Sequence, residues 1–466
     1  MKRGPQRDFT QGSIPRHILF FTLPMLAGNL LQMLYNVVDS IWVGQVIGPE
    51  ALGAVSVSMP LIFALLSLVF GMTMATTTLV SQYRGAGDEV MVRKTIGTSL
   101  ILLGFSGALV GLIGVVLRYP LLRMISTPPE IIDQSASYLG LFMGGILGLF
   151  LFNTLSAILR GLGDAQTPLK ALAVSTSLNI VLDGVFILGV GPIPQMGVGG
   201  VALATIISQS VSAIWLVRWI LRRTDLIRLE RTYWQVDWDL ARRIFKIGLP
   251  AGAQQVMVSF GMVTVTALIN QFGPEVVAAF GAAQRLDHAA FLPSMSMGLA
   301  ISAVVGQNLG AGKSERVSAA VLWGIGIAAS ITGLVTAVAV LNPTILMVLF
   351  TQDEGVLTEG SRYLRIMGWS YIPTAVLFIL GGVMRGAGDT MAAMVLTLVA
   401  LWGIRVPLAY FMAGSMGPTG IWTAILISMV MGMLLHWAYY LTGRWKRKVV
   451  VTSPPDSVGP PQIAGD

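Results

Sequence analysis

The chain has 466 residues, 54% of them hydrophobic and only 11% charged, and its mean hydropathy of +0.75 lies far outside the range of soluble domains. The absence of cysteine excludes disulfides and thiolate metal sites, and three scattered histidines argue against a metal centre. A net charge of +8 would suit a nucleic-acid binder, but the basic residues follow a membrane topology instead.

Apolar stretches of about 20 residues, enough to cross a bilayer, predict twelve spans. They fall near 17–44, 51–80, 95–117, 134–159, 167–190, 198–217, 245–270, 276–306, 318–348, 360–384, 391–413 and 418–442. The polar segment 1–16 leads directly into a full-length span and shows no removable signal peptide. Span one contains the run LPMLAGNLLQMLYNVVDSIWVG. Pro24 removes a backbone hydrogen bond there and permits a bend upstream of Asp39; a fixed kink that relieves packing strain is the alternative. Tyr35 and Asp39 are four apart and share a helix face, with Asn36 beside them.

Span five, within ALAVSTSLNIVLDGVFILGV, repeats the device with Asn179 and Asp183. Thr205 on span six falls at similar depth, between the bilayer middle and its outer edge. Ionisable groups at membrane depth are costly and mark ion paths or cavities. The first half has no arginine in its span interiors, so the two acids have no evident ion-pair partner. An oxygen-rich pocket of this kind holds a proton or a hard cation such as Na⁺, and the competing reading is a local bond that holds helices together.

The 223–244 connector is the most polar internal segment, and Trp234 and Trp238 suit an amphipathic strap as well as a solvated linker. Domains are therefore read as an N-terminal segment 1–16, a lobe 17–222, the connector 223–244, a second lobe 245–443 and a tail 444–466. The tail is basic at its start, then rich in proline and glycine, and is read as disordered. The second lobe carries Gln284, Arg285, Asp287 and His288 on span eight and Arg405 on span eleven. Asp287 is the only acid in the interior of a second-half span. An arginine within a span needs a partner, so Arg405 or Arg285 is expected to pair with Asp287 as a polar lock. Several of the 24 methionines lie on spans seven and eight, where thioethers suit either packing or an adaptable ligand surface.

The chain is written twice. SQYRGAGD at 81–88 returns as GQNLGAGK at 306–313, Gly48-Pro49-Glu50 as Gly273-Pro274-Glu275, and LRGLGD at 159–164 as MRGAGD at 384–389, each 225 residues later. Six spans per copy bring the second copy into the bilayer from the same side. The fold is thus an all-α membrane protein of two six-helix bundles, related by a pseudo-twofold axis along the membrane normal with a cleft between them. By repeat offset, Asp39 falls on Thr264 or Val265 and Asp183 on Leu408, so the halves differ chemically. The glycines of the RGxGD loops fit tight turns better than a phosphate cradle. Lysine and arginine collect at both termini and after even-numbered spans. By the positive-inside rule both termini are cytoplasmic in a multi-pass protein of the inner (plasma) membrane.

The duplicated six-span halves, the LP of spans one and seven, NVVDSIWVG, and the QxxGAG and RGxGD loops together resemble the multidrug and toxic compound extrusion (MATE) transporters over residues 14–445. Tyr35, Asp39, Asn153, Asn179, Asp183 and Thr205 match the amino-terminal-lobe cation site of the DinF-like branch, and Pro24 matches the proline at which its first helix bends. The resemblance implies no enzyme and no cofactor, but an exporter of small organic, often cationic or amphipathic compounds in exchange for H⁺ or Na⁺ by alternating access. Another branch keeps acidic cation ligands on helices seven and ten. Span seven here has Gln254 and Gln255 but no acid, and the interior of span ten has none. The alternative is a flippase of the same superfamily for lipid-linked oligosaccharide or peptidoglycan precursors. Such a flippase calls for more basic residues around a central cavity. One chain holds both halves of the cleft, so a monomer is expected to function, with lipid and small solutes as partners and no nucleic acid.

Overall fold

Two punctuation signals repeated in the sequence set where the long helices begin and end. In the computed structural model, which describes residues 6–223 and 233–451, Gly48 and Gly273 cap helices that open with Pro49 and Pro274 and carry Glu50 and Glu275 in the first turn. Proline lacks only an N–H that a helix start leaves unbonded anyway, and the acid complements the helix dipole. Asp88 caps the next helix by accepting from the Met91 amide at 3.0 Å. Asp164 does the same for Gln166 and Thr167, each at 3.0 Å, while Gly163 turns the chain before it at φ +85°. Burial pushes the Asp164 carboxyl up, and these capping bonds together with the Lys170 charge oppose that rise.

Among the described residues, eleven helices are long and apolar enough to cross a membrane, and a pair bent by 47° makes a twelfth. In the first lobe they are α1 (Ile14–Ile47), α2 (Pro49–Gly85), α3 (Glu89–Val116), α4 (Pro129–Gly144 with Ile146–Gly161), α5 (Gln166–Leu188) and α6 (Gly197–Arg222). In the second they are α7 (Trp238–Phe272), α8 (Pro274–Gly310), α9 (Ser314–Leu341), α10 (Glu354–Ala387), α11 (Thr390–Met416) and α12 (Pro418–Leu441). Short helices at Arg118–Met124 and Pro343–Met347, again 225 residues apart, follow α3 and α9. Helix α7 starts inside the predicted connector, with Trp238 exposed. Residues 224–232 of that connector and 452–466 of the tail lie outside the described residues. The first part of the tail forms a 3₁₀ turn that buries Trp445.

The lobes meet at the end that carries both termini. Phe9, Ile18 and Phe21 pack into the second lobe's core with Met297, Val304 and Ile379. In exchange, Leu240, Ile244 and Ile247 of α7 pack with Met72, Leu79 and Tyr83 of the first lobe. The pseudo-twofold is visible in hydrogen bonds: Gln82 donates to the Gly386 carbonyl at 2.8 Å and Gln307 to the Gly161 carbonyl at 3.0 Å, and each pair is the other displaced by 225 residues. Backbones touch here. A Cβ on Gly85 would lie 1.9 Å from the Gln307 oxygen, and one on Gly310 would lie 1.9 Å from the Gln82 oxygen. From Ser294 to Gly310 nearly every residue of α8 is buried, whereas from Pro274 to Phe291 buried and exposed residues alternate. The lobes therefore close at the termini and part toward the far end.

Candidate functional site

The far-end half of the first lobe assembles the predicted polar group. Tyr35 and Asp39 lie one turn apart near the end of α1, on the face packed against α5. A π-helical turn, Trp42–Ile47, follows directly; such widened turns are frequent at functional sites. Across from them α5 presents Asn179 and Asp183, both fully buried. The Asp39 and Asp183 carboxyls come together on the side chain of Asn179. With its amide nitrogen turned to the acids, the orientation that avoids facing oxygens, Asn179 donates to Asp39 Oδ1 at 3.0 Å and Asp183 Oδ2 at 3.2 Å. The Tyr35 hydroxyl lies 2.8 Å from Thr205 Oγ1. Asp183 Oδ1 is buried with no hydrogen-bond partner among the described residues. Two carboxyls converging on one amide repel when both are charged, which favours a proton or cation shared between them.

Asn153 does not join this group. Its amide donates to the Leu149 carbonyl of its own helix at 2.9 Å, and it lines a cavity of about 290 Å³ in the first lobe, shared with Pro24, Asn29, Gln32 and Phe70 and bordered by Leu299 and Ser302 of the second. Pro24 sits inside an unbroken α-helix, Ile14–Ile41, where it deprives the Phe20 carbonyl of its usual donor.

The expected lock of the second lobe is corrected. Asp287 is buried and accepts from two phenols, Tyr363 at 2.5 Å and Tyr371 at 2.7 Å, both on α10. Arg405 instead donates to Ser428 Oγ at 2.8 Å and Met429 Sδ at 3.3 Å. Arg285, two residues before Asp287 and thus about 200° around the helix, is exposed. Two neutral donors satisfy both carboxylate oxygens without the cost of desolvating a guanidinium. Gln254 on α7 bonds Thr397 at 2.6 Å. No cluster of three or more acid or histidine ligands for a metal occurs among the described residues.

Two lining residues were missed from the sequence. Tyr138 on α4 is buried within electrostatic reach of Asp39, Asp183 and Tyr35. Its repeat mate is Tyr363, the donor to Asp287, and that 225-residue match was the available signal. Arg160 lies just beyond span four as hydropathy bounds it, but the helix runs on to Gly161 and Arg160 lines the cavity.

The MatE family profile matches this chain twice, over residues 24–185 and 250–411, once in each lobe. The chain is similar to the probable multidrug resistance protein YpnP of Bacillus subtilis (strain 168), 33% identical across 96% of this chain and 99% of that one. A probable multidrug resistance protein NorM of Thermotoga maritima is 26% identical across 94% and 95%. Among solved structures, the outward-facing conformation of a multidrug resistance MATE family transporter of the MOP superfamily superposes with a TM-score of 0.88. It is 25% identical and covers 96% of this chain and 100% of its own.

Proposed function

Because the chain belongs to the MatE family of membrane transporters, we propose that it is a multidrug efflux protein, exchanging small organic compounds for protons. Transport, not catalysis, is its activity. The observation that carries the coupling step is the convergence of Asp39 and Asp183 on the Asn179 amide, at 3.0 and 3.2 Å. Basic residues gather at the closed end, including Arg93, Lys94, Lys170, Arg222, Arg242 and Lys446. We assign that end and both termini to the cytoplasm, so the cleft is open to the outside. Asp39, half-buried at the cleft, receives a proton from outside and shares it with Asp183. Neutralising the pair removes the cost of carrying charge through the bilayer as the lobes rock and the closed end opens. Each pH unit of gradient contributes about 1.4 kcal/mol, and about 2.3 kcal/mol comes from moving one charge through 100 mV. Na⁺ is the alternative coupling ion, because carboxylate, phenol and hydroxyl oxygens converge at one level. One chain supplies both walls of the cleft, so the working unit is a monomer in the plasma membrane.

The flippase reading is weaker. A pyrophosphate needs several cationic groups, and among the described residues the cavity offers one, Arg160.

Efflux of fluorescent amphipathic dyes, one cationic and one anionic, from proteoliposomes under imposed ΔpH or Na⁺ gradients tests the proposal. The native protein should respond to ΔpH, and Asp39→Asn or Asp183→Asn should each reduce that response at least about tenfold, the equivalent of 1.4 kcal/mol. Gradient-driven efflux that survives in both variants refutes the coupling. A response to Na⁺ alone transfers it to the other ion.

A further inference from the structure

The first-lobe cavity contains a cation that nothing among the described residues neutralises. Arg160 is half-buried in the last turn of α4. Its guanidinium has no hydrogen-bond or ion-pair partner among the described residues. No carboxylate lines the cavity with it. Ser156, one turn earlier and on the same face, is 2% exposed. Its Oγ also lacks a partner and it too lines the cavity. The repeat mate of Arg160 differs: Arg385 donates to the Phe378 carbonyl at 3.4 Å.

An unpaired guanidinium in a low-dielectric setting is expensive unless something it binds compensates it. Guanidinium is a five-donor fork with no acceptor, matched to carboxylate and phosphate oxygens. A hydroxyl beside it adds a further donor. The opposing walls are apolar, built from Met25, Phe70, Phe152, Leu169, Leu172 and Leu299. The volume of about 290 Å³ is near the lower end of ligand pockets, about 300–1,000 Å³, and suits a compact head with a short apolar segment.

We propose that this cavity binds an amphipathic molecule with one acidic head group, a carboxylate or phosphate, held by Arg160 and Ser156 while its apolar body lies against the leucine and phenylalanine walls. The assignment deepens the efflux reading by naming a substrate class, and rests on it only for the direction of movement. Binding itself requires no ion gradient. The site adjoins the closed end: the carbonyl of Gly161, next to Arg160, accepts the Gln307 bond that joins the lobes. Parting of the lobes there breaks that bond and opens the head-group site to the side of the termini, where a solute for export is loaded.

Equilibrium binding of dansylglycine and of its uncharged methyl ester, followed by fluorescence on the full chain in phosphatidylcholine nanodiscs, tests the proposal apart from any coupling. The acid should bind native protein at least about tenfold more tightly than the ester, as expected for one charge-assisted hydrogen bond. Arg160→Gln should reduce the acid to the level of the ester, Arg160→Lys should keep part of the preference, and Ser156→Ala should weaken the acid alone. Should Arg160→Gln fail to fold, judged by gel filtration and melting temperature, the lysine and alanine variants carry the comparison. Equal binding of acid and ester to native protein overturns the proposal, as does a preference undiminished in the Arg160 and Ser156 variants. Nanodiscs containing phosphatidylglycerol separate the two sources of the head group. Competition that depends on Arg160 identifies a membrane lipid, and acid binding unaffected by the lipid identifies a free solute.

Discussion

At the scale of single residues, the two lobes solve the same problem with different chemistry. In the first, a buried acid faces another acid, with Tyr138 nearby. In the second, Asp287 is enclosed by two phenols that satisfy both of its oxygens. The first arrangement leaves an oxygen without a partner and the second does not, which is why coupling is assigned to Asp39 and Asp183 and a structural role to Asp287. Tyr363→Phe should therefore lower stability by about 1–3 kcal/mol, the cost of leaving a buried acceptor unsatisfied, and leave the ΔpH dependence of efflux intact. Thermal unfolding in detergent together with the proteoliposome assay checks both halves; a loss of coupling at unchanged stability would move Asp287 into the ion path. The pairing of Asp287 with tyrosines was not legible beforehand. Charge suggested an arginine, and only the direction in which α10 projects its side chains decided for Tyr363 and Tyr371.

At the scale of elements, the contact of α2 with α8 is what joins the lobes at the end of the termini. The QxxGAG motif reads as a turn in one dimension, and Gly87 and Gly312 do turn the chain at positive φ. The first glycine of each motif has another task, which is to let the two lobes' backbones touch. Gly85→Val should wedge this contact open, because its side chain would overlap the Gln307 carbonyl and neither backbone can retreat without unpacking a helix. The absence of native cysteine gives a clean reporter. Ser302→Cys lines the cavity and is buried in the closed state. Its labelling by an impermeant maleimide from the side of the termini should rise severalfold in the Gly85→Val background. Unchanged labelling would show that the lobes are held closed elsewhere.

At the scale of the molecule, each terminus is anchored on the opposite lobe. The amide of Phe9 donates to Gln307 Oε1 at 3.0 Å, and Arg316 and Lys313 bond the carbonyls of Phe9, Gly12 and Thr10. In return the Val450 amide donates to Gln82 Oε1 at 2.9 Å, and Arg243, beside it on α7, donates to the Tyr83 hydroxyl of the first lobe at 2.9 Å. These bonds join the lobes at that end, so they favour the state closed at the termini. Deleting residues 2–12 removes the N-terminal set along with the buried ring of Phe9, and should shift the population toward the state open at the termini. Spin labels at Glu130→Cys and Glu354→Cys, on opposite lobes at the far end, should then show a shorter distance distribution by pulsed electron resonance. An unaltered distribution would mean that the clasp follows the lobes without biasing them.

The sequence by itself determined the number of spans, the duplication and the two pairs of polar residues that share a helix face. Those follow from apolar length, repeat spacing and helical periodicity, which are local properties of the chain. Tertiary structure alone decided which faces meet: that α1 and α5 bring four polar groups into one cluster, that Asn153 turns away from it, and that Arg160 lines a cavity. It also decided which end is closed. Helix rotation and the approach of backbones at Gly85 and Gly310 are set by packing between elements hundreds of residues apart, and no local pattern encodes them.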